Sequence, residues 1–219
     1  IKLMIVSFSR KFVYLRTIKV ASSSLEFYFS QFCNKDDIIT SLDHAEEKKK
    51  KKLGLLTKQN EKYKKFSLSL KNLFKLKFFH NKRIHEHSSA DILFKTNIHK
   101  KINNFFYFTF VRNPYDWIVS YFWWSLHYHN NKSLKYINQL SQKKIQILFK
   151  KFLNDESIKF FFSNQNIISS NYVKIKVFKF EKLNQSISKI KKKLYLTDEN
   201  FEISRIKLKS LKIKKKNYI

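Results

Sequence analysis

Phe105-Phe106-Tyr107-Phe108-Thr109-Phe110-Val111, followed by Arg112-Asn113-Pro114, is the stretch that decides the fold. An almost unbroken apolar run of this length predicts a strand buried on both faces, as in a central parallel strand. Arg112-Asn113-Pro114 ends it, and Pro114 suits the first position of a helix. Trp117, Ile118, Tyr121 and Phe122 give that helix an apolar face.

Working outward from this unit, Phe12-Val13-Tyr14-Leu15 predicts a second buried strand. A polar loop of small residues follows, Arg16 to Ser24, and then Leu25, Tyr28, Phe29 and Phe32 at helical spacing. Ser88 to Thr96 predicts a short helix carrying Ile92 and Leu93. The stretch 66–79 is ambiguous between helix and strand. Apolar positions between Ser133 and Leu153 predict one long amphipathic helix. Val173, Ile175 and Val177 alternate with lysines as in a strand, and Leu183, Ile187, Ile190 and Leu194 mark a further helix. Strands alternating with helices predict an α/β fold with a mainly parallel central sheet flanked by helices in three layers. One domain is expected over residues 1–219, with 44–65 as a lysine-rich surface insertion, either a solvated loop or an exposed helix.

The chain has 219 residues, 43% of them hydrophobic and 17% aromatic, which supports a packed core and excludes a disordered chain. Its formal net charge of +30 predicts affinity for polyanions. Abundant Lys, Ile, Phe and Asn beside one Gly and one Pro is also what a genome drifting toward A and T produces, so the charge is weak as a functional signal. Cys33 is the only cysteine, so neither an intrachain disulfide nor a cysteine-based zinc site can form. No apolar run reaches bilayer length and residues 1–10 lack a signal-peptide pattern, so a cytoplasmic location is expected. The first residue is Ile and the chain ends in a basic segment at Ile219, from which missing upstream and C-terminal pieces are expected.

Two segments carry chemistry. Lys19-Val20-Ala21-Ser22-Ser23-Ser24 lies between a strand and a helix start, where backbone N–H groups and the helix dipole favour an anion, Lys19 adds a charge and the serines add hydroxyls. The plain alternative is that Ser22 or Ser23 is an ordinary helix cap. The segment lacks the glycines of a Walker A loop, which disfavours an ATP- or GTP-binding kinase. Arg112 stands at the C-terminal end of its strand, where open α/β sheets bind ligands. Ser120 follows two helical turns later, so a guanidinium fork and a hydroxyl can share one phosphate; alternatively Arg112 pairs with Asp116 and Ser120 merely packs.

Together these segments resemble the sulfotransferases that use 3′-phosphoadenosine-5′-phosphosulfate (PAPS), and within them the carbohydrate-type branch that includes heparan sulfate 2-O-sulfotransferase. Ile18 to Ser24 is similar to that family's Pro-Lys-Thr-Ala-Ser-Thr-Ser loop, which grips the 5′-phosphosulfate. Phe110-Val111-Arg112-Asn113-Pro114-Tyr115-Asp116, with Ser120, resembles its 3′-phosphate element. Val177 to Leu183 and Lys214 to Tyr218 resemble later family segments more weakly. Ile18 stands where the family usually has Pro, and Val20 replaces Thr, so weakened donor binding is expected.

The resemblance implies sulfuryl transfer from PAPS to a hydroxyl of a carbohydrate or glycan, leaving PAP (3′-phosphoadenosine-5′-phosphate), with no metal. Lys19 and His87 are the implied catalytic residues: Lys19 faces the leaving phosphate and His87 takes the acceptor proton, with His85 second and His80 also in that region. Lys19, Val20, Ala21, Ser22, Ser23, Ser24, Arg112 and Ser120 are the implied donor-binding residues. His127 and His129 are candidates for an acceptor groove, and Trp123 and Trp124 for core or sugar-stacking surface. The competing readings are a basic polyanion- or nucleic-acid-binding protein without catalysis, and a truncated, inactive sulfotransferase.

Overall fold

Phe12 and Tyr14 point to one side of their strand and Val13 and Leu15 to the other, and all four are fully buried. A strand buried on both faces must lie inside a layered fold, and the computed structural model shows how. It describes residues 4–64, 81–83, 90–94, 98–128, 133–155 and 169–197. The expected ambiguous stretch 66–79 lies outside these.

A five-stranded sheet runs in the order β3 (Ile38–Ile39), β1 (Met4–Ser7), β2 (Phe12–Leu15), β6 (Phe106–Val111), β7 (Ile175–Lys179). A separate two-stranded ribbon pairs β4 (Lys62–Lys64) with β5 (Asn81–Arg83). On one face of the main sheet, Phe12, Tyr14, Phe108, Phe110 and Phe178 pack against α1 (Ser22–Ser30) and the last described helix, α8 (Leu183–Leu194). On the other, Val13, Leu15 and Tyr107 pack against α3 (Asp91–Phe94) and α4 (His99–Ile102). Helices on both faces give the three layers read from the sequence.

The sheet is mixed, which corrects the expectation of a mainly parallel one. β6 pairs in parallel with β2 and β7, whereas β1 is antiparallel to both β2 and β3. Only residues 8–11 join β1 to β2, and a parallel crossover needs about a dozen residues, so the pair closes as a hairpin. Asp37 secures that hairpin by accepting from the Phe8 N–H at 2.7 Å and the Ser7 hydroxyl at 3.0 Å.

Two further expectations need correcting. The single helix read between Ser133 and Leu153 is two, α6 (Leu134–Gln139) and α7 (Gln142–Leu153). Ser141 breaks it by capping α7, its hydroxyl accepting from the Lys144 N–H at 3.3 Å, while Leu140 turns extended. The late strand begins two residues later than its alternation implied, because Phe178 is what anchors it, 5.8 Å from the Phe110 ring.

The lysine-rich segment forms α2 (His44–Lys52). Most of its lysines are exposed, as expected of a surface helix, but Lys50 is completely buried. The chain's single glycine, Gly54, ends this helix at φ +69°, with Leu55 N–H bonded to the Lys50 carbonyl and Gly54 N–H to Lys51. That is a Schellman closure, for which a left-handed residue after the helix is required.

Candidate anion site at the strand ends

Because β2, β6 and β7 run parallel as neighbours, their C-terminal ends share one edge of the sheet. That edge carries the loop Arg16–Ala21 after β2, Arg112 and Asn113 after β6, and a 3-10 turn, Phe180–Lys182, after β7. Such an edge is where open α/β sheets take ligands.

The first loop is shaped by two left-handed residues that are not glycine, Lys19 at φ 61° and Ala21 at φ 54°. Each such residue costs about 1–3 kcal/mol, so the surroundings must hold it. Backbone of this kind turns N–H groups into an anion-binding concavity. Ala21 is also the N-cap of α1, and no side chain caps that helix. The alternative of Ser22 or Ser23 as an ordinary cap is thereby corrected, since the cap position falls to Ala21.

The second segment holds the first. The Thr17 hydroxyl donates to the Phe110 carbonyl. The Trp117 indole N–H donates to the Ile18 carbonyl at 2.9 Å, and Arg112 Nη1 to the Lys19 carbonyl at 3.4 Å. Trp117 lies on α5 (Pro114–Tyr128), where it stacks on Tyr121, which stacks in turn on Trp124. The Lys19 ammonium lies 5.4 Å above the Trp124 ring. Arg112 is placed over the Phe180 ring at 5.2 Å, and its buried Nε has no hydrogen-bond partner among the described residues. A guanidinium with a buried unused donor, beside an ammonium and the start of a helix, fits a phosphate or sulfate group. Glu181 closes the edge by accepting from the Asn113 N–H at 2.6 Å.

The electrostatics follow this crowding of cations. Burial, and then the charge of Arg112, lower Lys19 to about 8. Glu181 is held below the usual carboxylate range, chiefly by the Asn113 N–H. Behind the loop, Arg16 Nη2 donates to the Ser23 hydroxyl at 2.7 Å and Nη1 to Glu26 at 3.4 Å.

Of the residues read from the sequence, the structure thus brings Lys19 and Arg112 together, with Val20 and Ala21 between β2 and α1 and the three serines in the first turn of α1. Val20 is buried in the core, so its side chain serves packing and only its backbone faces the loop. Ser22 is buried, Ser23 is engaged by Arg16, and Ser24 and Ser120 are half-buried. His80, His85, His87 and His129 lie outside the described residues, so the proposed base and one acceptor-groove candidate have no described position. Trp123 belongs to the core, whereas Trp124 lies beneath Lys19. The sequence reading gave Trp117 only a packing role and Arg16 none. The cue for Trp117 was its place one turn after Pro114 on a helix leaving Arg112; nothing local distinguished Arg16. Among the described residues no helix is long and apolar enough to cross a membrane, and no group of three or more His, Cys, Asp and Glu could hold a metal ion.

A family model described as the sulfotransferase family matches residues 2–217. No curated protein and no solved structure matches the chain.

Proposed function

Since the chain belongs to the sulfotransferase family, we propose that it moves a sulfuryl group from PAPS to a hydroxyl of a carbohydrate or glycan. The observation that carries this reading is the union of the two segments: Arg112 donates to the Lys19 carbonyl at 3.4 Å, so two cationic side chains meet at one uncapped helix start. A nucleotide with phosphate groups at both its 5′ and 3′ positions matches two such cationic loops on one sheet edge. The likeness of Ile18–Ser24 and Phe110–Ser120 to the carbohydrate branch supports a sugar hydroxyl as acceptor, and the formal charge of +30 suits an acidic glycan.

In this reading the acceptor oxygen bonds to sulfur as the bond from sulfur to the 5′-phosphate oxygen breaks. The acceptor proton passes to His87 and then to solvent. Lys19 balances the charge that grows on the departing phosphate, and backbone N–H groups from Val20 to Ser24 hold the neighbouring oxygens. Arg112 and Ser120 hold the 3′-phosphate.

The test is transfer of labelled sulfate from PAPS to a panel of desulfated glycans, with His87→Ala alongside. Label on a glycan that falls by about a hundredfold or more in His87→Ala supports the reading. Label on no acceptor, from protein shown to bind PAP, would favour a donor-binding relic.

A further inference from the structure

Lys50 and Glu26 form a fully buried ion pair, Nζ to Oε1 at 3.2 Å, between α2 and α1. The other carboxylate oxygen of Glu26 meets Arg16 Nη1 at 3.4 Å, Glu46 approaches Arg16 Nη2 at 3.8 Å, and the same Nη2 holds the Ser23 hydroxyl at 2.7 Å. The chain of contacts therefore runs from a lysine-rich surface helix to a serine of the anion loop. α2 is built to deliver it: Asp43 caps its start by accepting from the Glu46 N–H at 2.8 Å, and Gly54 closes its end just past Lys50. Replacing a buried pair by apolar groups is often neutral or stabilising, so fold stability alone does not account for these charges.

We propose that Glu26 and Lys50 are positioning residues that act through Arg16 to set Ser23 and the donor-binding loop. This rests on the PAPS reading above. Lys50 opposes the burial that disfavours a charged Glu26, Glu26 orients the Arg16 fork, and the fork fixes Ser23 at the first turn of α1. Glu26 is faced by Lys50 and Glu46 from α2, by Arg16 from the loop, by Tyr14 from β2 and by Cys33 just beyond α1. Burial raises Glu26, and Lys50 is the largest influence lowering it, so removing Lys50 moves its titration upward. In a Lys50→Met protein Glu26 is then neutral at low pH and Arg16 loses its anchor; as pH rises Glu26 ionises and the anchor returns.

The experiment is titration of PAP into the full chain across a pH series, for the wild type, Lys50→Met, the neutral pair Glu26→Gln/Lys50→Met, and Glu46→Gln. The pair removes both buried charges together, and Glu46 lies at the rim, so these two folds are the safest to compare by thermal melting. Expected are PAP binding about tenfold weaker in the neutral pair at unchanged melting temperature, a few-fold loss in Glu46→Gln, and in Lys50→Met an acidic limb of PAP affinity displaced to higher pH. Wild-type affinity in both the neutral pair and Glu46→Gln would overturn the proposal and leave the network a structural strut. If the wild type itself shows no preference for PAP over AMP, the donor reading fails and this proposal with it, a result distinct from tight wild-type binding that the variants share.

Discussion

The indole N–H of Trp117 donates to the carbonyl of Ile18 at 2.9 Å, so the helix that starts after Arg112 holds the loop that starts at Arg16. The bond links residues far apart in sequence and ties the two candidate anion-binding segments into one body. With the Thr17 bond to Phe110 and the Arg112 bond to Lys19, it holds a loop whose left-handed residues oppose their own backbone preferences.

Trp117→Phe removes this bond while leaving a ring to stack on Tyr121. A hydrogen bond of this kind is worth about 1 kcal/mol, so PAP binding is expected to weaken about fivefold as the loop loosens. Isothermal titration measures it; unchanged affinity would show that the other two ties suffice.

Lys19 gives the proposed donor site a pH dependence. In the free protein it is lowered to about 8 by burial and Arg112, so above that pH the ammonium deprotonates. A bound phosphate favours the charged form, raises the value and makes binding take up a proton. PAP affinity should therefore be level below about pH 8 and fall by up to about tenfold per pH unit above it. Lys19→Arg, charged throughout, should remove the decline. A flat wild-type profile from about pH 7 to about pH 9.5 contradicts this account of Lys19.

Phe108 is fully buried and its ring contacts Phe12, Tyr14, Phe29, Phe106, Phe110 and Phe178. Phe108→Ala opens a cavity at the middle of the sheet and should cost about 3–5 kcal/mol, read from the urea midpoint. A loss under about 1 kcal/mol would mean that this ring cluster collapses to fill the space.

Ser141→Ala removes the hydroxyl that accepts from Lys144 N–H and should lower stability by about 1 kcal/mol. The same change at a residue inside a continuous helix would be nearly neutral or slightly favourable, so the sign of the effect in a urea melt distinguishes two helices from one.

The central strand, Arg112, Pro114 and the helix after them were legible because period, Pro chemistry and strand length all act locally. The loop at Lys19 was legible as a position, since a strand, small residues and a helix stand in order. Its bracing by Trp117, Phe110 and Arg112 was not, because those partners come from elsewhere in the chain. β1 escaped notice because Met4–Ser7 is too short to show a period and its turn contains no glycine, Lys11 taking φ 54° instead. Without β1 the sheet looked more parallel than it is.

Lys50 shows the limit most clearly. Five lysines in succession carry no periodic signal, and a lysine run is normally a solvated face. What singles out Lys50 is a buried carboxylate on α1, contributed by Glu26, whose own place among Phe, Tyr and Ser residues gave no hint of charge pairing. Ser141 was a local signal passed over because the apolar positions on either side kept helical spacing across it.

The proposed function joins Lys19 and Arg112 in one site for a doubly phosphorylated nucleotide. The most direct measurement is isothermal titration of PAP and of AMP into the wild type and Arg112→Ala. The account predicts saturable PAP binding that is much tighter than AMP binding, and that Arg112→Ala brings PAP down to the AMP level. Equal affinity for PAP and AMP in the wild type, or undiminished PAP binding in Arg112→Ala, would contradict it.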